Sequence, residues 1–326
     1  MTFLLRCLLL TLAMFGLVAA IVSVMVGLVW WLKACKRMPE GTAAGRADAL
    51  FRLRLLPAAV AVLAAAFTAV GLWRFEPREA HEVLGWILRA GAVLGALLLA
   101  LFTARLWQAH RETRRLLAVW LTDATRVSLP AISVPAFRIH TTFPVVAVVG
   151  IIRPTLLVDG SVLDACTADE LAAILAHEQG HVRRWDNVRR ALFSATPDLL
   201  AWTPAGVTLA EAWRAATEEA ADDVATEQGG ETRVHLAQAL IRVARLAPPS
   251  ASLPGSTFDL ARLPASALYR GDSVEGRVRR LCAEPMRAGS HGPGITLTIA
   301  LCVMTTGVLL QRHIHDLMEV LIAVLP

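Results

Sequence analysis

The chain has few cysteines, and they are poorly spaced for cross-linking. Five occur in 326 residues, at positions 7, 35, 166, 282 and 302, with no C-x-x-C pair. An odd set without pairing intervals argues against a disulfide framework and for a reducing environment around the middle of the chain. Cys7 and Cys302 lie in apolar runs and read as inert packing residues. Charge is also scarce: 18% of residues are charged and 56% hydrophobic, with a mean hydropathy of +0.54. Such a chain is not an ordinary soluble domain, and the apolar excess sits at its two ends. The net charge is +5, but Lys and Arg cluster beside the apolar runs. That is a pattern of membrane orientation, not of a nucleic-acid groove, so nucleic acid is not expected as a partner. The four long apolar runs contain no His, Asp or Glu, which argues against a metal transporter with ligands inside its spans.

Residues 7–32 form the first of these runs. Arg6 and the leucines after it imitate a signal peptide, and Val18-Ala19-Ala20 imitates a cleavage site. The run continues through Val29, too long for an h-region, so an uncleaved transmembrane helix is expected, with Trp30 and Trp31 at its inner end. Residues 33–54 carry six basic and two acidic side chains. Residues 55–73 are a second run, with Pro57 expected in its first turn. Residues 83–107 are a third, in which Arg89 reads as a snorkelling side chain near the headgroups. Arg105, Arg111, Arg114 and Arg115 lie at and beyond its end. Residues 294–311 are a fourth run, just long enough to span, and 317–325 are apolar enough to lie in the outer interface. The positive-inside rule then places the N-terminus outside and the middle of the chain in the cytoplasm. The expected organisation is three spans in 1–110, a cytoplasmic domain in 111–290, and a fourth span with a short outer tail in 291–326. The lipid bilayer is a partner of all four spans.

Between the spans the character changes. Prolines at 130, 135, 144 and 154 separate β-rich runs at 137–143, 145–151 and 155–158, which predict a small sheet. Thr167 and Glu170 then form a capping box that opens a helix running to about Thr196, where Pro197 stops it. This helix carries His177-Glu178-Gln179-Gly180-His181. Positions four apart share a helix face, so His177 and His181 can reach one metal ion, while Glu178 can reach a water on its open side. Two imidazoles, a carboxylate base and a free position are what a zinc peptidase requires.

A third ligand is expected from another element. Thr208 and Glu211 read as a second capping box, opening a helix that runs to Gln228. It offers Glu218 with Asp222, or Glu219 with Asp223, each pair four apart. One carboxylate would ligate and its companion would accept a hydrogen bond from a ligand histidine. Spacing does not choose between the two registers. A further helix over 233–246, a Pro/Ser/Gly-rich loop over 248–264 and a short basic helix over 273–282 follow.

An H-E-x-x-H motif followed by E-x-x-A-D on the next helix resembles the gluzincin metallopeptidases. Within them the chain is most similar to the M56 family, the membrane peptidases of the BlaR and MecR antibiotic sensors. The likeness rests on Gly150-Ile151-Ile152-Arg153-Pro154 with the strand after it, on His177 through Asn187 with its R-x-D-N ending, and on Glu218-Glu219-Ala220-Ala221-Asp222-Asp223. The basic segment at 273–282 is similar to the family's arginine-bearing helix. Ala221 stands where the family usually has Cys. The resemblance implies a multi-pass α-helical membrane protein of four transmembrane helices with an α+β gluzincin-like domain, in a bacterial cell membrane. It implies one catalytic zinc ion held by His177, His181 and Glu218, with Asp222 behind a histidine and Glu178 as catalytic base. It favours Glu218 over Glu219. The implied substrate is a protein, such as a cytoplasmic repressor or the chain itself. The sensors carry an extracellular penicillin-binding domain after their last span. This chain ends soon after its fourth run and is expected to have none. M48 peptidases of the HtpX and Ste24 kind, which work in quality control or processing, share both motifs. A non-proteolytic signalling protein with a structural zinc site is a further alternative.

Zinc there would bring a bound water toward a pKa of about 7. Glu178 would take the proton and pass it to the leaving amine. Tyr269, His235 and Arg233 are candidates for the oxyanion. The strand at 145–150 is expected to offer an edge on which substrate adds as a β-strand. Asp186 is nine residues from His177, on the opposite face of an ideal helix. It is expected not to ligate, and its recurrence in the family that the chain resembles implies a structural pairing with nearby arginines.

Overall fold

A computed structural model describes residues 2–34, 41–75, 84–141, 144–227, 229–246, 265–267, 274–283 and 320. The run at 294–311, the apolar tail, the loop at 248–264 and Tyr269 lie outside them. Among the described residues, three helices are long and apolar enough to cross a membrane: α1 (Phe3–Ala34), α2 (Ala43–Phe75) and α3 (Trp86–Trp120). Their large side chains divide between exposed positions such as Leu8, Ile21, Met25, Val62 and Leu97, and two shared clusters. One cluster gathers Leu10, Ala13, Leu72, Leu88 and Ala92; the other gathers Phe15, Ala19, Ala61 and Leu98. In lipid there is no hydrophobic drive between helices, so close backbone approach must hold them. Gly16 of α1 meets Gly91 and Gly95 of α3, one turn apart: a Cβ on Gly16 would stand 2.2 Å from the Gly91 carbonyl oxygen. Arg89 is exposed and its Nε donates to the Leu84 carbonyl at 2.7 Å, at the helix end.

Two helices run past their apolar stretches. α2 begins at Ala43, so Pro57 lies in its interior and not in a first turn. The apolar run marks only the part that meets lipid, and the polar residues before it, Arg46 to Arg54, continue the same helix. α3 likewise continues past Trp107 to Trp120, and Leu116 and Trp120 pack beneath the sheet.

That sheet has five strands, β1 (Thr125–Val127), β2 (Ala136–Ile139), β3 (Val146–Val149), β4 (Thr155–Asp159) and β5 (Ala265–Ala267), in the order β1-β2-β4-β3-β5. β2 and β4 are parallel and the other pairings antiparallel. All four residues of β3 are buried, because its two faces serve two cores. Val146 and Val148 meet the helical layer, while Ala147 and Val149 meet the tail of α3. The expectation of a free edge at 145–150 is not met. β5 pairs with β3, Ala147 opposite Ala267 and Val149 opposite Ala265, so the chain itself fills that edge.

The helical layer comprises α4 (Gly160–Ala165), α5 (Ala168–Arg183), α6 (Asp186–Ala195), α7 (Pro204–Ala225), α8 (Gly230–Leu246) and α9 (Val274–Cys282). The Thr167–Glu170 capping box is present, with bonds of 3.3 and 2.8 Å. The helix it opens does not run to Thr196. It stops at Arg184, and Trp185, at φ 56° and ψ 37°, turns the chain into α6. Nor does Thr208 cap the next helix. α7 starts at Pro204, with the Thr203 hydroxyl accepting from Gly206 N at 3.1 Å. Proline at the first helical position sets that start, and Thr208 becomes an interior residue whose hydroxyl accepts from Trp30 Nε1 at 2.9 Å.

The turn between α6 and α7 is seated in the bundle. Leu199 packs on the Phe15–Ala19–Ala61–Leu98 cluster and its N–H donates to Ser23 Oγ. Arg54 of α2 pairs with Asp198, both buried, and its guanidinium lies 5.4 Å from the Phe193 ring centroid. Ala47 and Leu50 of α2 join Phe193, Leu209 and Trp213 in one cluster.

Gly16→Leu should separate α1 from α3. A loss of about 1–3 kcal/mol or more is expected for such overpacking, read as a lower unfolding temperature in detergent micelles. Gly276→Ala should leave that temperature unchanged or raise it, because a Cβ at Gly276 meets nothing within 4 Å. Equal behaviour of the two variants would refute the close crossing.

Candidate metal centre

The motif helix α5 packs against α7 through its smallest residue. A Cβ on Gly180 would lie 3.3 Å from Ala221 Cα and 3.4 Å from Val224 Cβ. Glycine facing alanine lets the two helices approach closely, so that Glu218, nearly one turn before Ala221, reaches both histidines, and Asp222, next to Ala221, reaches His177. His177 Nε2 and His181 Nε2 lie 3.2 Å apart. Glu218 Oε2 lies 3.6 Å from the first, and Glu218 Oε1 lies 3.8 Å from the second. These three residues offer donor atoms that all lie within 4.8 Å of one another.

The other nitrogen of each ring is spoken for. His177 Nδ1 is 2.9 Å from Asp222 Oδ1, and His181 Nδ1 is 2.8 Å from Asp186 Oδ2. A carboxylate can only accept, so each Nδ1 carries a proton and each Nε2 is turned toward Glu218. Asp186 thus reaches the site, contrary to the ideal-helix extrapolation, because the turn at Trp185 redirects the chain after α5. It does not ligate; it orients His181. It also meets an arginine, as the family resemblance implied: Arg184 Nε is 3.6 Å from its second oxygen.

The alternative register points elsewhere. Glu219 pairs with Arg46 of α2, and Asp223 with Arg280 of α9. Of the oxyanion candidates, Arg233 donates to the Arg280 and Ala283 carbonyls at the end of α9, at 3.3 and 2.9 Å, and His235 is half-buried on α8. Two other guanidiniums face the site. Arg277 of α9 reaches Asp222 and Glu218, and Arg190 Nη2 of α6 is 3.9 Å from Glu218 Oε1. Asn187, next to Asp186, donates its amide to the Val148 and Gly150 carbonyls at 2.9 and 3.0 Å, tying α6 to the end of β3.

Charge accounting supports a cation here. Glu178, Asp186 and Asp222 are buried and Glu218 is nearly so; the buried positive partners are Arg190 and Arg277. Arg184, about as covered as Glu218, adds a third guanidinium beside Asp186, so the four carboxylates keep an excess negative charge if both imidazoles are neutral, which a metal cation would offset. The geometry also suits one. A tetrahedral ion with bonds of about 2.0–2.1 Å to nitrogen sets its ligands about 3.3–3.4 Å apart, close to the spacing of the two Nε2 atoms.

Protons fill part of this role when no metal does. Burial works against an imidazolium at His181, but the Glu218 and Asp186 carboxylates outweigh it and push the group up to about 10. For His177, burial and then Arg277 act downward, yet bonds to Asp222 and Glu218 leave it raised. Burial would raise Glu218, but His181, His177 and Arg277 hold its carboxyl well below the usual range.

A family model described as BlaR1 peptidase M56 matches residues 18–257. The matched span takes in the motif, both orienting carboxylates, Glu218 and most of the three long helices. No curated protein matches the chain.

Two outcomes follow from this geometry. Metal binding must expel protons from raised imidazoles, so apparent metal affinity should climb with pH until the pH passes about 10, where His181 loses its proton unaided, by up to about tenfold per unit for each proton displaced. Proton release into weakly buffered solution measures it; affinity independent of pH would contradict the assignment. Trp185→Gly should keep the site, since glycine adopts positive φ freely, and change stability by no more than about 1 kcal/mol. Trp185→Pro fixes φ near −65° and should unseat Asp186, weakening metal affinity by about 10–100-fold. Competition with a chromogenic chelator compares the two variants.

With a buried His–His–Glu cluster in place and the family model covering most of the chain, this protein belongs to the M56 family of membrane metallopeptidases.

Proposed function

We propose that the protein is a zinc endopeptidase of a bacterial cell membrane that cleaves a protein substrate on the cytoplasmic face, in regulatory or signalling proteolysis. The observation that carries this reading is the paired support of the two imidazoles. Asp222 holds His177 and Asp186 holds His181, so both Nε2 atoms converge with Glu218. A solvated acidic helix face has no use for such an arrangement. A purely structural site would have no use for Glu178, which is buried between the ligands in sequence and whose charge acts on Arg277. Zinc suits the donor set of two imidazoles and a carboxylate, and the basic residues flanking the inner ends of the apolar runs support a cytoplasmic site.

A zinc ion in this set would polarise the scissile carbonyl and acidify water. Glu178 accepts the proton of the attacking water and returns it to the leaving amine. His177, His181 and Glu218 hold their donor atoms in place, and Asp222 and Asp186 keep each ring in the tautomer that presents Nε2. The family likeness supports a cytoplasmic repressor, or the chain itself, as substrate.

Glu178→Gln should bind one zinc per chain and lose cleavage by at least about a hundredfold, the typical contribution of a general base being about 10²–10⁴. Zinc content and new N-termini in the proteome of cells expressing each form provide the readout. Cleavage by Glu178→Gln at the normal rate would sink the mechanism.

A further inference from the structure

Of the groups described at the site, Arg277 comes from farthest along the chain, beyond the α5–α7 segment that supplies the others. It belongs to α9, a nine-residue helix too short to hold together alone. Val274, Val278 and Leu281 pack α9 into the core shared with α8. Two of its arginines, Arg277 and Arg280, face the acidic side of α7. Arg280 pairs with Asp223 at the surface, while Arg277 goes inward and is 5% exposed.

The contacts of Arg277 are specific in shape. Its Nη2 donates to Asp222 Oδ1 at 2.6 Å and its Nε donates to Asp222 Oδ2 at 3.0 Å. This is the two-pronged pairing of a planar guanidinium with a planar carboxylate. Nη1 stands 3.4 Å from Glu218 Oε2. Nη2 is also 3.4 and 3.5 Å from the two ring nitrogens of His177. Near-equal distances to both nitrogens place it beside the ring, not along one lone pair.

Asp222 therefore serves two hydrogen-bond donors, His177 and Arg277, with Arg280 Nη1 farther off at 4.0 Å from its Oδ2. Its Oδ1 accepts from His177 Nδ1 and from Arg277, and its Oδ2 is held by Arg277 alone among the hydrogen bonds described. A carboxylate anchored at one oxygen can swivel about its Cβ–Cγ bond. Anchored at both by a rigid fork, it keeps its plane, and with it the direction in which His177 points. We infer that Arg277 is a positioning residue of the metal centre, which fixes the plane of Asp222 and through it the His177 ring, so that the site is incomplete until α9 docks. A lysine would supply the charge but not the fork. A mere counter-ion would be replaceable by lysine; a positioning fork is not.

The test uses the full chain in detergent, loaded with Co²⁺ in place of zinc, and dye-labelled casein as the probe substrate. Arg277→Met should retain one metal per chain, alter the Co²⁺ d–d absorption, and reduce casein turnover by about 10–100-fold, the usual effect of removing a partner behind a metal ligand. Arg277→Lys should share the altered spectrum and recover only part of the turnover. Adding Asp222→Asn to Arg277→Met should cost little beyond the worse single change, because both act on one link. Arg279→Ala, at an exposed pair with Glu275, should match the parent in spectrum and turnover. If Arg277→Met does not fold, Arg277→Lys decides the matter: a parental spectrum with parental turnover overturns the inference, as does an unchanged spectrum in Arg277→Met. The inference rests on the peptidase reading only for its casein arm. A parent that never cleaves casein, with a spectrum that still depends on Arg277, would count against casein cleavage while upholding the positioning role. A cleaving parent with a spectrum indifferent to Arg277 would refute the positioning role alone.

Discussion

Carboxylates without compensating charge are expensive in a protein interior, and this fold collects four of them within one cluster around two imidazoles. Much of the domain's arrangement answers that constraint. α5 and α7 bring Glu178, Glu218 and Asp222; the turn at Trp185 adds Asp186. Cations then arrive from elements on other sides, Arg190 from α6 and Arg277 from α9, and His177, His181 and Glu218 form a set that could hold a metal ion. Each cation also carries position. A fork on Asp222 and a ligand set on Glu218 hold their carboxylates in defined planes, which a diffuse positive environment would not.

The same cluster is tied to the membrane through the polar start of α2. Arg46 pairs with Glu219, the neighbour of a metal-site carboxylate, and Asp48 pairs with Arg184 and Arg189, which flank Asp186. Both halves of the site thus touch one rigid helix that continues into the bundle. Such partly exposed pairs are each worth only about 0–1 kcal/mol, so they do not hold the joint together. The apolar contact does. Phe193 of α6 stacks on Trp213 of α7 with centroids 4.6 Å apart, against Ala47 and Leu50 of α2. Burying several such side chains is worth several times more, at about 1.5–3 kcal/mol each. The ion pairs fix the register of a joint whose strength is hydrophobic, and the buried Arg54–Asp198 pair does so most strictly, since either partner alone would be stranded.

Where a local rule governed the chain, the sequence was legible. Helical spacing brought His177 and His181 together, and the Thr167 box is formed as its pattern predicts. Apolar length identified three long helices but not their ends, because polar helix turns beyond the lipid leave no mark in hydropathy. Competing local signals misled: Thr203 before Pro204 outweighs Thr208 before Glu211 as a helix start. Non-local pairing was invisible. Ala265–Ala267 has no β-branched residue and only three positions, yet it fills the edge of β3. The choice between Glu218 and Glu219 was also undecidable from spacing. It turns on where α2 and α9 place their arginines, which no periodicity in α7 records.

Asp186 shows how a different kind of reasoning reaches further. Counting turns from His177 put it on the far side of a helix, and that count assumes the helix continues. Hydrogen-bond accounting makes no such assumption. Two ligand histidines need two acceptors behind their Nδ1 atoms, and Asp222 serves only His177. His181 then requires a second carboxylate, and Asp186 is the first one downstream of it in the chain. For that residue to serve, the backbone must break between positions 181 and 186. No glycine or proline marks such a break, and the left-handed residue is a tryptophan, a conformation that costs about 1–2 kcal/mol. A charge-assisted bond to a buried imidazole, worth about 1.5–3 kcal/mol, offsets it. The strain at Trp185 and the orientation of His181 are therefore one feature, and the chemistry of the site accounts for a turn that propensity does not.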